Sequence, residues 1–236
     1  MHGCLRVVTA AAVALCALVT GGVARADRKP TVAVMYFDYS GSDDQLGVLR
    51  KGLAQMMISD LSALDAIQLV ERDRLEQILG ELKLGQSGKI DAATAARAGK
   101  LLGARYMVVG GYFDIKSRLR VDARVIEVET GKVVQSVGAT GESDDFLGLE
   151  QKLVGEIGAI LDSQLATPPR PSGTAPPAPR VRPPARLARH TAVLYSRALN
   201  DLDAGNKPKA REKLKQVVAE QSDFKLAMVD LDKLMQ

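Results

Sequence analysis

The sequence predicts an α/β (α+β) fold: a mixed β-sheet backed by helices in the order β-α-β-α-α-β-β-β-α, followed by a small all-α hairpin. Three observations predict it. Thr31 to Phe37 is a nearly continuous apolar, β-branched run, the pattern of a strand covered on both faces. Apolar residues then recur at spacings of three and four, the period of helices that bury one stripe. From Tyr106 the period changes to two, which belongs to strands with one wet face.

Each element follows from its residues. Asp38-Tyr-Ser-Gly41 ends the first strand in a turn. Asp43 and Asp44 precede Leu46, Leu49, Leu53, Met56, Met57, Leu61 and Leu64, so a helix is expected from about Asp44 to Ala63, with acids at its positive end. Ala66 to Glu71 reads as a short second strand. Arg72 to Leu84 reads as a helix with Leu75, Ile78, Leu79 and Leu82 inward, stopped by Gly85 before the polar turn Gln86 to Lys89. The Asp91 side chain can accept an orphan backbone N–H and cap a third helix, Ala92 to Leu102, which Gly103 ends. Tyr106 to Val109 enters a strand, Gly110 and Gly111 let the backbone bend or approach a neighbour, and Tyr112 to Ile115 continues it. In Leu119 to Val125, apolar residues alternate with Arg120, Asp122 and Arg124. Glu129-Thr-Gly-Lys132 is a hairpin turn, and Val133 to Ala139 return antiparallel. Asp144 and Asp145 begin a last helix whose Phe146, Leu149, Leu153, Ile157, Ile160, Leu161 and Leu165 can close over the sheet.

The flanks differ in composition. Residues 1–26 read as a secretory leader: Arg6 supplies a basic start, Val7 to Val19 an uncharged apolar run, and Ala24-Arg25-Ala26 a cleavage site before Asp27. A competing reading acylates Cys16, although Leu15 stands where such a signal normally has Gly, Ala or Ser. Cleavage after Ala26 would remove both cysteines, Cys4 and Cys16, leaving neither disulfide nor thiol chemistry. Residues 167–190 hold eight of the ten prolines, five Arg and no acid, the composition of an extended linker. Residues 27–166 carry 17 basic and 21 acidic side chains, and 191–236 carry 8 and 7, so the basic balance belongs to the linker and leader. A nucleic-acid surface is therefore not expected. The five Arg either keep the linker solvated or meet an anionic envelope surface. Residues 191–236 read as helical, with stripes built on Tyr195, Ala198, Leu199 and Leu202, then on Ala210, Leu214, Val217 and Val218, then on Phe224, Ala227, Met228, Leu231 and Leu234. The first two resemble a tetratricopeptide hairpin, with Pro208 admitted in a first helical turn. A single repeat must pack on the first domain or on another chain.

Several strings carry a wider resemblance: Val32-Ala-Val-x-x-Phe37, Gly52-Leu-Ala through Asp60-Leu, Val70-Glu-Arg-Asp-Arg-Leu-Glu-Gln-Ile-Leu79, Leu101-Leu-Gly-Ala-Arg-Tyr-x-Val-Val-Gly110 and Val128-Glu-Thr-Gly-Lys132. From Thr31 to roughly Leu161 the chain resembles the periplasmic core of the curli-secretion CsgG family. Similar domains occur in flagellar outer-membrane accessory proteins and in lipoprotein activators of peptidoglycan synthases. The resemblance implies an envelope assembly or secretion factor with envelope proteins as partners and no catalytic residues to carry over. It also raises a secretion-pore or lipid-anchored ring subunit, but lipid-facing strands need about 9–11 residues of apolar alternation. Arg120, Asp122, Arg124 and Glu127 fit that poorly.

Composition argues against an enzyme. Nucleophilic catalysis needs Cys or Ser beside a base, and His190, at the linker edge with no nearby acid in sequence, is the only His after the leader. No phosphate-loop or hydrolase-elbow pattern occurs, and neither metal nor cofactor is expected. Asp38 follows the first strand, where open α/β sheets place ligands, yet turn formation also explains it. Arg72-Asp73-Arg74 reads either as a binding hot spot or as a solvated ion pair at a helix start. Asp38, Arg72, Arg74, Tyr195 and Phe224 are the candidate interaction residues, and association of copies is compatible with all of this.

Overall fold

The computed structural model describes residues 29–83, 91–116, 118–165 and 187–236. The expected leader, with Cys4 and Cys16, the turn at 86–89 and most of the Pro-rich stretch lie outside these residues. The chain runs β1 (Thr31–Val34), β2 (Asp38–Tyr39), α1 (Asp44–Gly47), α2 (Leu49–Leu61), β3 (Gln68–Leu69), α3 (Arg72–Glu81), α4 (Ala92–Leu102), β4 (Tyr106–Ile115), β5 (Arg118–Glu127), β6 (Val133–Glu142), α5 (Phe146–Leu165), α6 (Arg189–Asp203), α7 (Lys207–Glu220) and α8 (Lys225–Met235).

The six strands form one mixed sheet in the order β3-β1-β4-β5-β6, with β2 pairing beside β4. β1 lies parallel to β3 and β4, and β2 parallel to β4; β4, β5 and β6 are antiparallel. β1 is thus an interior strand, and Val32 to Phe37 are buried throughout. α2 and α5 cover one face of the sheet, and α4, with α3 beside it, covers part of the other. The mixed sheet with helical backing matches the sequence reading.

Local chemistry explains most of the boundaries. Asp91 accepts the Thr94 N–H at 2.7 Å, and Gly103 takes φ 66° in the left-handed region, so both ends of α4 fall where the sequence puts them. Two details differ, and at Gly110 one of two expected roles holds. The expected helix from Asp44 is divided at Val48 into α1, capped by Asp43 accepting the Gln45 N–H at 2.8 Å, and α2. Asp38 and Tyr39 do not turn but add the two-residue strand β2. Gly110 does not bend β4, which runs unbroken over ten residues; a Cβ there would lie 2.3 Å from the Phe37 ring and 2.4 Å from the Asp122 carbonyl, so this glycine serves close approach.

The C-terminal helices pack on the α/β part. α6 lies against α2, α7 against α6 and α8 against α7. Leu187, Ala192 and Val193 join the main apolar core, while Tyr195, Ala198, Leu199, Leu214, Val217 and Ala227 form a smaller one. Pro208 occupies the first turn of α7, where a missing N–H costs nothing. α6 starts at Arg189, so the last residues of the expected linker already belong to a helix.

Candidate interaction groove

The two parts meet closely at a pair of small residues. A Cβ on Gly52 of α2 would fall 2.0 Å from Ser196 Oγ of α6, and that hydroxyl donates back to the Ala192 carbonyl at 2.9 Å. α6 therefore lies directly on α2.

This approach brings together charges that are far apart in sequence. Asp203 ends α6, where the helix dipole is negative and cations are favoured. Two cations meet it. Lys51 Nζ donates to Asp203 Oδ2 at 2.5 Å and to Glu76 Oε1 at 3.2 Å, and Arg72 Nη1 donates to Asp203 Oδ1 at 2.6 Å. Arg72 also donates to Asp73 Oδ1 at 2.8 Å, and Tyr36 Oη donates to Glu76 Oε2 at 2.5 Å beneath Lys51, whose ammonium lies 5.2 Å from the Tyr36 ring. The Arg72 and Asp203 side chains are only 7 % and 10 % exposed. Burial opposes the Arg72 charge, but Asp203 outweighs it and holds the guanidinium above its ordinary range; burial and the Glu76 contact push the Tyr36 phenol up.

Two hollows flank this cluster and share Glu76, Gly80 and Asp203. One, of about 700 Å³, is lined by Tyr36, Arg50, Lys51 and Asn200; the other, of about 420 Å³, by Gln55, Arg72, Leu199, Lys207 and Lys233. Together they make a groove with α3 on one wall and the C-terminal helices on the other. Its deep charges neutralise one another, leaving a shaped polar concavity suited to recognition. Among the described residues, no group of three or more His, Cys, Asp or Glu could hold a metal ion.

The sequence-derived candidates scatter. Arg72 anchors the cluster, buried where the sequence allowed a solvated ion pair; Arg74, two residues on, is exposed and donates to Gln77 at 3.2 Å. Asp38 lies elsewhere, paired with Arg50 at 2.9 Å and lining a hollow of about 340 Å³ with Gly111, Arg124 and Ser136. Tyr195 is fully buried in the helical core, donating to Asp230 Oδ2 at 2.7 Å with Phe224 edge-on at 5.0 Å. Burial, reinforced by Asp230, raises the Tyr195 phenol, and burial raises Asp230. His190 does have an acid, Glu220 at 2.8 Å, supplied by α7. Arg189 beside it pairs with Asp43, whose carboxyl burial would raise but the Gln45 N–H and Arg189 hold below its ordinary value. Sequence reasoning missed Tyr36, Lys51, Glu76 and Asp203. Lys51, next to Arg50 at the start of a helix whose following residues are mostly apolar, carries no sequence signal that separates it from a solvated charge.

Comparison with known proteins places these residues in context. Residues 21–118 match the family model described as the curli production assembly/transport component CsgG. The matched stretch ends at the start of β5, short of the Leu161 limit expected from sequence. A curated relative, the putative adenylate cyclase 3 of Rhizobium meliloti (strain 1021), is 26 % identical over 103 residues, which cover 44 % of this chain and 16 % of that protein. The LpoB C-terminal domain from Salmonella enterica overlays with a TM-score of 0.40 at 15 % identity, covering 48 % of this chain and 83 % of that one. Lipoprotein GNA1162 from Neisseria meningitidis gives 0.42 at 12 % identity, covering 54 % and 94 %.

Proposed function

We propose, taking the CsgG-like region as the premise, that this chain is an exported, non-catalytic accessory protein of the cell envelope that works by binding other proteins in the periplasm. The observation that carries the reading is the groove between α3 and α6, whose Lys51, Arg72 and Asp203 fix the helical arm to the α/β part. A fixed arm presents one continuous surface, as an adaptor requires. The leader-like residues 1–26 support export, and the single histidine after them supports a role without chemistry. Activation of a peptidoglycan synthase is a narrower form of the same role.

A secretion-pore subunit is less well supported. Arg118, Arg120 and Arg124 project from β5 on the face that α5 leaves open, and cations facing lipid near the midplane cost about 2–4 kcal/mol each.

Mass spectrometry of the mature amino terminus, combined with photo-crosslinking from Asn200 in the native host, tests the proposal. A chain starting at Asp27 in the periplasmic fraction, crosslinked to an envelope protein, is the expected result. Lipid on Cys16, leakage of liposomes, or substrate turnover by the purified chain would overturn it.

A further inference from the structure

The charges of α7 are arranged against the helix that carries them. Five of its first nine residues are basic, Lys207, Lys209, Arg211, Lys213 and Lys215, and none in its first turn is acidic, although the positive end of a helix dipole favours acids. Lys207, Arg211 and Lys215 stand four apart, so they form one stripe about 12 Å long, and like charges at that spacing repel. All three are exposed. Lys213, on the side of α6, is neutralised by Asp201. The three stripe cations have no such acid among the described residues: Arg211 donates to the Leu234 carbonyl at 3.1 Å, and Glu212, the one acid within the span, accepts from the Gln216 amide at 3.5 Å. Outside the described residues the sequence holds a single acid, Asp27.

The chain thus leaves the counter-charge to another molecule, and the geometry selects which. A row of carboxylates about 6 Å apart matches the stripe, and that is the spacing of every fourth residue on a helix. None of the described helices carries three acids at steps of three or four, so a second copy of this chain does not present that row. A flat anionic lipid surface fits less well, because Glu212 and Asp232 are exposed on the same packed pair of helices and would be pressed against it. A single acidic segment laid along α7 meets only the cations. Lys207 also lines, with Lys233, the hollow of about 420 Å³, so the stripe continues the groove between α3 and the C-terminal helices.

We propose that Lys207, Arg211 and Lys215 dock an acidic helix of a partner protein, laid along α7 at the open end of that groove. The proposal rests on the accessory-protein reading for the class of partner. Fluorescence anisotropy with the purified full chain tests it. The probe is a labelled alanine-based helical peptide with three Glu spaced by four, and the control is its isomer with the three Glu consecutive. The first peptide should bind and weaken as salt rises, and the isomer should bind roughly tenfold more weakly or worse. Lys207→Glu with Lys215→Glu should abolish binding, whereas Lys209→Glu, on the other side of α7, should change it by no more than about twofold. The double variant should melt no lower than the wild type, since it places an acid at the positive helix end and a Glu four residues to either side of Arg211. Loss of binding is then not loss of fold. Failure of the peptide to bind, equal binding of the isomer, binding untouched by the double variant, or a double variant that loses only phosphatidylglycerol vesicles would overturn the proposal. Crosslinking from Asn200 in the native host separates it from the accessory role. An envelope protein still captured by the double variant removes the stripe alone, and no capture by the wild type beside intact peptide binding removes the accessory role alone.

Discussion

Glu150 shows how one side chain can oppose the fold that contains it. It is completely buried on α5, and neither carboxyl oxygen has a hydrogen-bond partner among the described residues. Burial, reinforced by the Asp60 carboxyl of α2, pushes the pKa of its carboxyl well above the ordinary carboxylate range. The folded chain therefore retains a proton that the unfolded chain releases above about pH 4.3. What stability Glu150 offers is complete below that pH and is lost as pH rises toward its folded value. Glu150→Leu should stabilise the protein at neutral pH by about 1–3 kcal/mol, and the gain should shrink as pH falls to about 4.3. Urea titrations of both proteins across that pH range provide the measurement. Nothing in the sequence singles Glu150 out. It neighbours Leu149 in an apolar stripe, and its burial arises only when α2 closes over α5.

At the level of elements, legibility followed the distance over which each signal acts. α4 was readable because Asp91 and Gly103 mark its two ends locally. The β4 to β6 meander was readable because alternation and a Thr130-Gly131 turn are local too. β2 escaped because two residues carry no periodicity, and its pairing depends on Gly111 and Tyr112 lying alongside. The sequence left open whether the helical segment packs on the first domain or on another chain, because the contact that decides it joins Lys51 and Asp203, 152 positions apart. α2 itself reads as amphipathic but is covered nearly all round, with nine of its thirteen residues buried, because the sheet, α5 and α6 surround it. Asp203→Asn should expose the consequence. It strips the shared carboxylate from two cations, one of them 19 % exposed, and should cost about 2–3 kcal/mol. Hydrogen exchange should show protection falling across α6, α7 and α8 while the sheet keeps its own; uniform loss over the whole chain would contradict the picture of a docked arm.

For the molecule as a whole, the division into parts seen in composition does not describe how cohesion is distributed. The apolar core that holds β1 and α2 also takes in Leu187, Ala192 and Val193, and the groove walls come from both sides. Leu165 at the end of α5 packs on that core as well, so the residues on either side of 166–186 both sit on it. Both ends of that segment are anchored to the same object. A covalent link of this kind keeps the helices at an effective concentration on the order of millimolar near their seat, while contributing little to how well they fit it. A protease cut between Leu165 and Leu187 should therefore leave two fragments that travel as one through gel filtration, and adding Asp203→Asn should let them part. Breakage of the connecting segment would slow reassembly far more than it would loosen the finished object, so the seam remembers its partner after the thread is gone.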